Sequence, residues 1–240
     1  WMSVGFIHGV MNTDNSAISG ETIDYGPCAF MDTYHPDTVF SSIDQMGRYA
    51  YSNQPHIAVW NMAQLATSLL QQMDDPEGAV APATEIVHAM PGRIETAWTR
   101  RMGAKIGIAH ARPEDIPLIE GLLKIMQQEQ ADFTNTFDAL ARGVPSDQFL
   151  NRNAFGTWAE EWQARIASEK DPHATMRHAS PRIIPRNHRI EEMISAAVQG
   201  DYAPFERLMD ALAIPYTTED TDLMHPPTES ERVPATFCGT

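Results

Sequence analysis

Helical periodicity of the apolar positions runs through most of this chain. Apolar side chains recur at helix-like spacing over residues 56–73. Trp158 and Trp162, four positions apart, fall on one helical face, which is typical of core packing. The predicted helices cover residues 56–73, about 86–110 with a break at 90–92, about 112–140 with a possible bend, 155–168, 190–198 and 203–212. Residues 143–145, Gly-Val-Pro, are expected to stop the third helix.

The remaining segments lack this periodicity. Residues 1–10 are short and apolar, which predicts a buried strand that enters a loop. A second strand is expected from Ile23 and the residues after Gly26. The segments predicted to be loop or extended tail are 32–55, 170–185 and 216–240. The pattern therefore predicts a mainly α fold with a few short strands around an early loop.

Composition excludes several classes of partner. The chain has 240 residues and a net charge of −15, which argues against nucleic acid and membrane surfaces, because both attract clustered Lys and Arg. No apolar run approaches the roughly 18 residues of a transmembrane helix. Two cysteines, without Cys-x-x-Cys or His-Glu-x-x-His, favour a reducing compartment and no zinc site. We therefore expect a cytoplasmic protein, or a mitochondrial one if its source is eukaryotic.

A group of polar residues near the start of the sequence carries the candidate chemistry. His8, Asp14, Asn15 and Asp24 lie close together, and Asp24 begins an Asp-Tyr-Gly triplet. His8 and Asn15 are seven positions apart, as in the His-x-Asp-x-x-x-x-Asn loop of protein kinases, which an Asp-Phe-Gly follows. Val10 occupies the usual Asp position, so the catalytic acid is predicted at Asp14 instead.

These residue types suit phosphoryl or nucleotidyl transfer. Mg²⁺ and Mn²⁺ prefer oxygen ligands, which the Asn15 amide and the Asp24 carboxylate supply. Asp14 can accept the proton of an attacking hydroxyl group, and His8 is expected to brace the loop through hydrogen bonds. Asp14 has a second interpretation, as the cap of a helix that begins near Ser16.

Longer motifs surround these residues. The run Gly5–Asn15 reads Gly-Phe-Ile-His-Gly-Val-Met-Asn-Thr-Asp-Asn, and residues 18–32 read Ile-Ser-Gly-Glu-Thr-Ile-Asp-Tyr-Gly-Pro-Cys-Ala-Phe-Met-Asp. Further matching segments are 38–44, 47–51, 53–55, 181–187 and 200–206. On these motifs the chain resembles the selenoprotein O family, also called YdiU, over essentially its whole length.

The resemblance implies that this chain is the C-terminal helical lobe of a protein-kinase-like fold. It also implies a protein adenylyltransferase, which transfers AMP from ATP, bound in a flipped orientation, to Ser, Thr or Tyr hydroxyls of proteins. Carried onto this sequence, Asp14 is the catalytic proton acceptor, and Asn15 and Asp24 bind Mg²⁺ or Mn²⁺. Asp24 is further expected to contact ATP.

The chain departs from the family in one respect. No Gly-rich nucleotide loop is visible. The basic residues up to position 105 are Arg48, Arg93, Arg100, Arg101 and Lys105. We therefore expect a fragment that lacks the N-terminal nucleotide-binding lobe and has little or no activity alone. The expected parts are residues 1–55 with the catalytic, metal-binding and activation-like segments, the helical lobe 56–215 and the tail 216–240.

Two alternatives to adenylyl transfer remain at this point: kinase-type phosphotransfer, and a redox-sensitive pseudokinase that serves as an interaction module. The family resemblance suggests a redox bond between Cys28, near Asp24, and Cys238 at the chain end; two unpaired thiols are the other interpretation. The basic stretch around Arg186 either contacts phosphate or bridges helices.

Overall fold

The computed structural model describes residues 1–22 and 29–237, and this part of the chain is mainly helical. Its α-helices are α1 (Gln54–Leu70), α2 (Pro76–Lys105), α3 (Ile116–Glu129), α4 (Phe133–Arg142), α5 (Arg152–Ile166), α6 (Pro172–Ala179), α7 (Asn187–Val198) and α8 (Ala203–Ala213). Two short strands, β1 (Phe6–Ile7) and β2 (Ala29–Phe30), pair antiparallel. The predicted mainly α fold with short strands is confirmed. Among the described residues, no helix combines the length and apolarity needed to cross a bilayer.

The two strands anchor the start of the chain to the helical core. Phe6 lies opposite Phe30 in the ladder, and their rings meet edge to face at 5.2 Å. The residue before β1, Gly5, has a φ of 70°, and a Cβ there would lie 3.0 Å from the Phe133 ring. Only glycine fits this position without strain, because the backbone is left-handed and packs against an aromatic ring. The second strand follows Gly26 as expected, while Ile23 lies outside the described residues.

Helix α2 is longer than predicted. It runs without a break through Pro82 and Pro91, so the break expected at the second proline is wrong. A proline inside a helix removes one backbone hydrogen bond and costs about 3 kcal/mol. Packing of α1 along α2 offsets this cost, and Asp75 caps the helix by accepting a 3.0 Å hydrogen bond from the Gly78 N–H. Tertiary packing therefore overrides the local signal.

The third predicted helix divides into α3 and α4. Gln130 adopts a left-handed φ of 52° after α3, and the Asp132 carboxylate caps α4 with a 2.8 Å bond from the Asn135 N–H. Gly143, with a φ of 76°, ends α4 at the predicted place. The two helices place Phe133 and Phe137 in the main hydrophobic core.

Helix α6 lies in a stretch that the sequence predicted to be loop, and that prediction is wrong for Pro172–Ala179. Asp171 caps this helix with a 2.8 Å bond from the Ala174 N–H, and Met176 is fully buried. One buried side chain in eight residues gives too little periodicity to detect. The predicted core face of α5 is confirmed, because Trp158 and Trp162 are both buried; their rings stack with centroids 5.4 Å apart.

A buried arginine connects three distant segments. The Arg186 side chain is fully buried and forms ion pairs with Asp32 and, at 2.8 Å, with Asp132. It also donates a 3.2 Å hydrogen bond to Asn135 Oδ1 and a 3.0 Å bond to the carbonyl of Met224. Of the two interpretations of the basic stretch, the structure thus supports a bridging role for Arg186.

Candidate active site

The chain enters the candidate site through strand β1 and a buried histidine. His8 is 4% exposed, and its backbone N–H donates a 3.0 Å hydrogen bond to Gln54 Oε1 at the start of α1. Its Nδ1 accepts a 3.3 Å bond from the Val10 N–H. Gln54 also donates from Nε2 to the carbonyl of Phe6 at 2.9 Å. Gln54, at the start of α1, therefore fixes the backbone at Phe6 and His8, and the His8 ring fixes it at Val10.

The predicted catalytic pair lies in one short turn. Asp14 and Asn15 belong to a 3₁₀ turn, Thr13–Asn15, in which Asp14 is exposed and Asn15 is half-buried. The Asn15 Nδ2 donates a 3.0 Å hydrogen bond to the carbonyl of Val10. Ser16 has extended backbone angles, so no helix begins there, and the alternative role of Asp14 as a helix cap is wrong. Asp14 is instead a surface carboxylate on an ordered turn.

Two side chains from later segments hold this turn from outside. The Tyr49 hydroxyl donates a 2.5 Å hydrogen bond to Asn12 Oδ1. Asn61, 2% exposed on α1, donates from Nδ2 to the carbonyl of Met11 at 3.1 Å and to Ser16 Oγ at 2.8 Å. The turn that carries the candidate catalytic residues is thus fastened at both ends.

Sequence reasoning missed these supporting residues. Tyr49 and Gln54 lie inside the family motifs 47–51 and 53–55, but a motif does not say which atom its side chain contacts. Asn61 carried a detectable signal, because it follows buried Ile57 by four positions and so places a polar group on the buried face of a helix. A buried polar side chain normally has a hydrogen-bonding partner, which makes such a position a candidate.

A cavity of about 320 Å³ opens beside the turn. Its lining includes His8, Asn15 and Asn61, together with the apolar side chains of Trp1 and Met90. The Oδ1 atom of Asn61 is buried and accepts no hydrogen bond in the described part of the chain. A larger cavity of about 580 Å³ lies elsewhere between α1, α2 and α3, and neither Asp14 nor Asn15 lines it.

A cation lies on an aromatic surface near the same turn. The guanidinium carbon of Arg48 is 4.8 Å from the ring centroid of Trp60 and 5.7 Å from that of Tyr49. The Asp44 carboxylate accepts hydrogen bonds from the backbone N–H groups of Arg48 and Tyr49, at 2.8 and 2.7 Å. This capped turn fixes the backbone from which Arg48 extends.

Three predicted site residues, Asp24, Cys28 and Cys238, lie outside the described residues. The metal role of Asp24 and the redox pairing of the two cysteines therefore stay predictions. Within residues 1–22 and 29–237, no group of three or more His, Cys, Asp and Glu side chains forms a metal cluster. The Asn15 side chain nevertheless suits a hard cation. Its amide nitrogen is hydrogen-bonded to the carbonyl of Val10, and its amide oxygen, the atom type that such cations prefer, accepts no hydrogen bond from a described residue.

Comparison with known sequences decides the family. Residues 1–213 match the model of a family described as "Protein adenylyltransferase SelO". The chain belongs to this SelO family. It is 75% identical over 240 residues to a protein named "Protein nucleotidyltransferase YdiU" from Roseobacter denitrificans, and 63% identical over 242 residues to one of the same name from Ruegeria sp. (strain TM1040). A third protein of that name, from Brevibacillus brevis, is 49% identical over 249 residues.

Each of these matches covers 100% of this chain and 51% of the relative. The chain therefore spans about half the length of the curated relatives it matches. The predicted resemblance to the selenoprotein O family is confirmed by these findings.

Proposed function

We propose that this SelO-family chain carries the catalytic loop of an ATP-dependent protein adenylyltransferase. The reaction moves AMP from ATP to the hydroxyl group of a Ser, Thr or Tyr residue in another protein. The family match and the names of the relatives support nucleotidyl transfer, and they favour it over both kinase chemistry and an inert interaction module.

One observation carries the proposal: Asp14 is an exposed carboxylate on a turn whose neighbours are fixed. Asn12 is held by Tyr49, and both Met11 and Ser16 are held by Asn61. A general base must reach the substrate and also keep a defined position, because misplacement of a reacting group is costly in rate. Exposure of Asp14 and immobilisation of its turn meet both requirements.

In the proposed reaction, the Asp14 carboxylate accepts the proton of the acceptor hydroxyl. The hydroxyl oxygen forms a bond to the α-phosphorus of ATP, the bond between that phosphorus and the bridging α–β oxygen breaks, and pyrophosphate leaves with the electron pair. Asn15, anchored to the carbonyl of Val10, keeps its amide oxygen directed away from that bond. His8 supports the loop through its hydrogen bonds with Val10 and Gln54.

A divalent cation fits the same proposal. Asn15 and Asp24 would hold Mg²⁺ or Mn²⁺, and the ion would neutralise charge on the phosphate oxygens. We also propose that the β1–loop–β2 unit with the helices after it corresponds to the lower lobe of a kinase-like fold. An antiparallel strand pair on either side of the turn supports this assignment.

The test uses full-length protein with Mg²⁺ or Mn²⁺ and ATP labelled at either the α- or the γ-phosphate. Label is expected in acceptor protein from the α position only. Asp14→Asn and Asp24→Asn are expected to abolish it, whereas Asp37→Asn, which changes another exposed carboxylate, leaves it intact. Label from the γ position only would establish a kinase, and label from neither would favour an interaction module.

A further inference from the structure

We propose that Arg48 receives an acidic side chain of the acceptor protein, close to the hydroxyl group that is modified. The inference rests on the proposed function, and it adds a specificity-determining residue to that site. The acceptor would therefore carry Asp or Glu beside its Ser, Thr or Tyr.

The first support is the isolation of this positive charge. Arg48 is the only Lys or Arg among the first 92 residues of a chain whose net charge is −15. Its guanidinium forms no ion pair with a carboxylate in the described part of the chain. By contrast, Arg165, Arg186 and Arg207 each pair with acidic groups there. Arg48 thus keeps its donor groups available for a ligand.

The second support is the way in which Arg48 is presented. The exposed Trp60 ring, 4.8 Å from the guanidinium carbon, gives a planar surface on which the planar cation rests. Asp44 fixes the backbone at Arg48 through its bonds to two consecutive N–H groups. Both contacts reduce the conformational freedom that binding would otherwise remove. A positioned guanidinium binds a carboxylate through two parallel N–H···O bonds.

The third support is location relative to the catalytic turn. The residue after Arg48, Tyr49, is bonded to Asn12, and the residue after Trp60, Asn61, is bonded to Met11. The Arg48 guanidinium itself lies 5.7 Å from the centroid of the Tyr49 ring, so this one tyrosine contacts both the cation and Asn12, the residue that precedes the turn of Asp14. Arg48 does not line the cavity that contains Asn15, the proposed metal ligand. This position suits the acceptor protein better than the triphosphate, because the phosphates must meet the metal.

The test measures peptide binding without ATP, so it does not depend on transfer. The probes are three fluorescein-labelled peptides, each with one Ser in a Gly-Ala background. Two residues on each side of the Ser are Glu in the first peptide, Gln in the second and Lys in the third. Anisotropy titration of full-length protein is expected to show about three- to tenfold tighter binding of the Glu peptide than the Gln peptide. Added salt reduces this ratio.

Variants at Arg48 decide the assignment. Arg48→Gln is expected to lower the Glu-to-Gln ratio to about one, and Arg48→Glu to reverse the preference toward the Lys peptide. Arg48→Lys should keep part of the preference for the Glu peptide, because lysine retains the positive charge but lacks the planar guanidinium that binds a carboxylate through two N–H groups. Arg177→Glu is the matched control, because it makes the same change of charge at an exposed position on α6. Thermal melts of all variants verify folding.

Equal binding of the Glu and Gln peptides to the unmodified protein would overturn the inference, as would an unchanged ratio in Arg48→Glu. A loss of ATP affinity in Arg48→Gln that exceeds the loss of peptide preference would also overturn it, by assigning Arg48 to the triphosphate. An intact preference without any AMP transfer would remove the proposed function but leave the peptide site. The two proposals therefore fail in different measurements.

Discussion

The hydroxyl group of Tyr49 lies 2.5 Å from Oδ1 of Asn12, and this hydrogen bond joins two segments that are 37 positions apart. Asn12 precedes the 3₁₀ turn of Asp14, whereas Tyr49 belongs to the segment that leads into α1. The position of the candidate general base thus depends on how the later segment folds.

Tyr49→Phe tests this dependence. The ring keeps its place in the small core with Met11 and Ile57, so the free energy of unfolding should fall by only about 1 kcal/mol. AMP transfer should fall more steeply, by about tenfold, because Asn12 and the following turn lose a fixed position. Initial rates and urea unfolding curves of full-length protein measure both. Tyr51→Phe, which removes a hydroxyl bonded to the carbonyl of Met2, is the control and should change stability without a matching loss of rate.

Asn61→Asp should destabilise the protein by about 2–4 kcal/mol, because it places a buried charge against the carbonyl of Met11 and removes the donor. The loss should be smaller near pH 4–5, where the introduced carboxyl group is protonated and donates a hydrogen bond again. Urea unfolding at two pH values checks this. Asn153→Asp on the exposed surface of α5 is the matched control, with an expected change below about 0.5 kcal/mol. Equal losses in both variants would contradict the role given to Asn61.

Arg186→Gln should cost about 3–5 kcal/mol, since the partly buried carboxylates of Asp32 and Asp132 would both lose their fully buried partner. Burial already raises the pKa of Asp32, and Arg186 opposes this only in part. The matched variant is Arg207→Gln, which also removes pairs with two carboxylates but at an exposed site, and it should cost less than about 1 kcal/mol. Denaturant unfolding curves measure the loss of stability in each variant. Similar losses in Arg186→Gln and Arg207→Gln would exclude a buried ionic bridge at Arg186.

Lys105→Met should stabilise the protein at neutral pH. Lys105 is buried, its Nζ lies 4.3 Å from the centroid of the Phe137 ring, and it donates a 3.4 Å hydrogen bond to Ser180 Oγ. Desolvation lowers the pKa of Lys105 from 10.5 to about 7. At pH values between about 7 and 10.5, the unfolded chain binds a proton at Lys105 that the folded chain does not bind. The free energy of unfolding of the unmodified protein therefore rises with pH over this range.

The stabilisation by Lys105→Met should therefore be largest near pH 7 and shrink by about 1 kcal/mol per pH unit toward pH 9.5. Unfolding free energies at pH 7, 8 and 9.5 measure this slope. Lys124→Met, at an exposed position on α3, should show no such slope. A pH-independent difference between Lys105→Met and the unmodified protein would mean that burial does not shift the titration of this lysine.

Local sequence signals located several elements well. The apolar period located α1, α5, α7 and α8 to within a few residues, and Gly143 ends α4 where expected. Elements with weak local signals were missed or misjudged. Helix α6 has one fully buried side chain, and α2 continues through prolines that usually end a helix. In both cases contacts with other helices supply the stability that the local sequence lacks.

For the site, the sequence by itself determined the family and predicted which residues carry the catalytic chemistry. The order of His8, Asp14 and Asn15 and the motifs around them indicated the loop and its family, because spacing along a short loop limits which side chains can act together. It could not indicate that the Tyr49 hydroxyl group bonds to Asn12, or that Asn61, a polar residue on the buried face of α1, bonds to the carbonyl of Met11. Those contacts join residues 37 to 50 positions apart, and only the packing of α1 and its preceding segment against the turn brings them together.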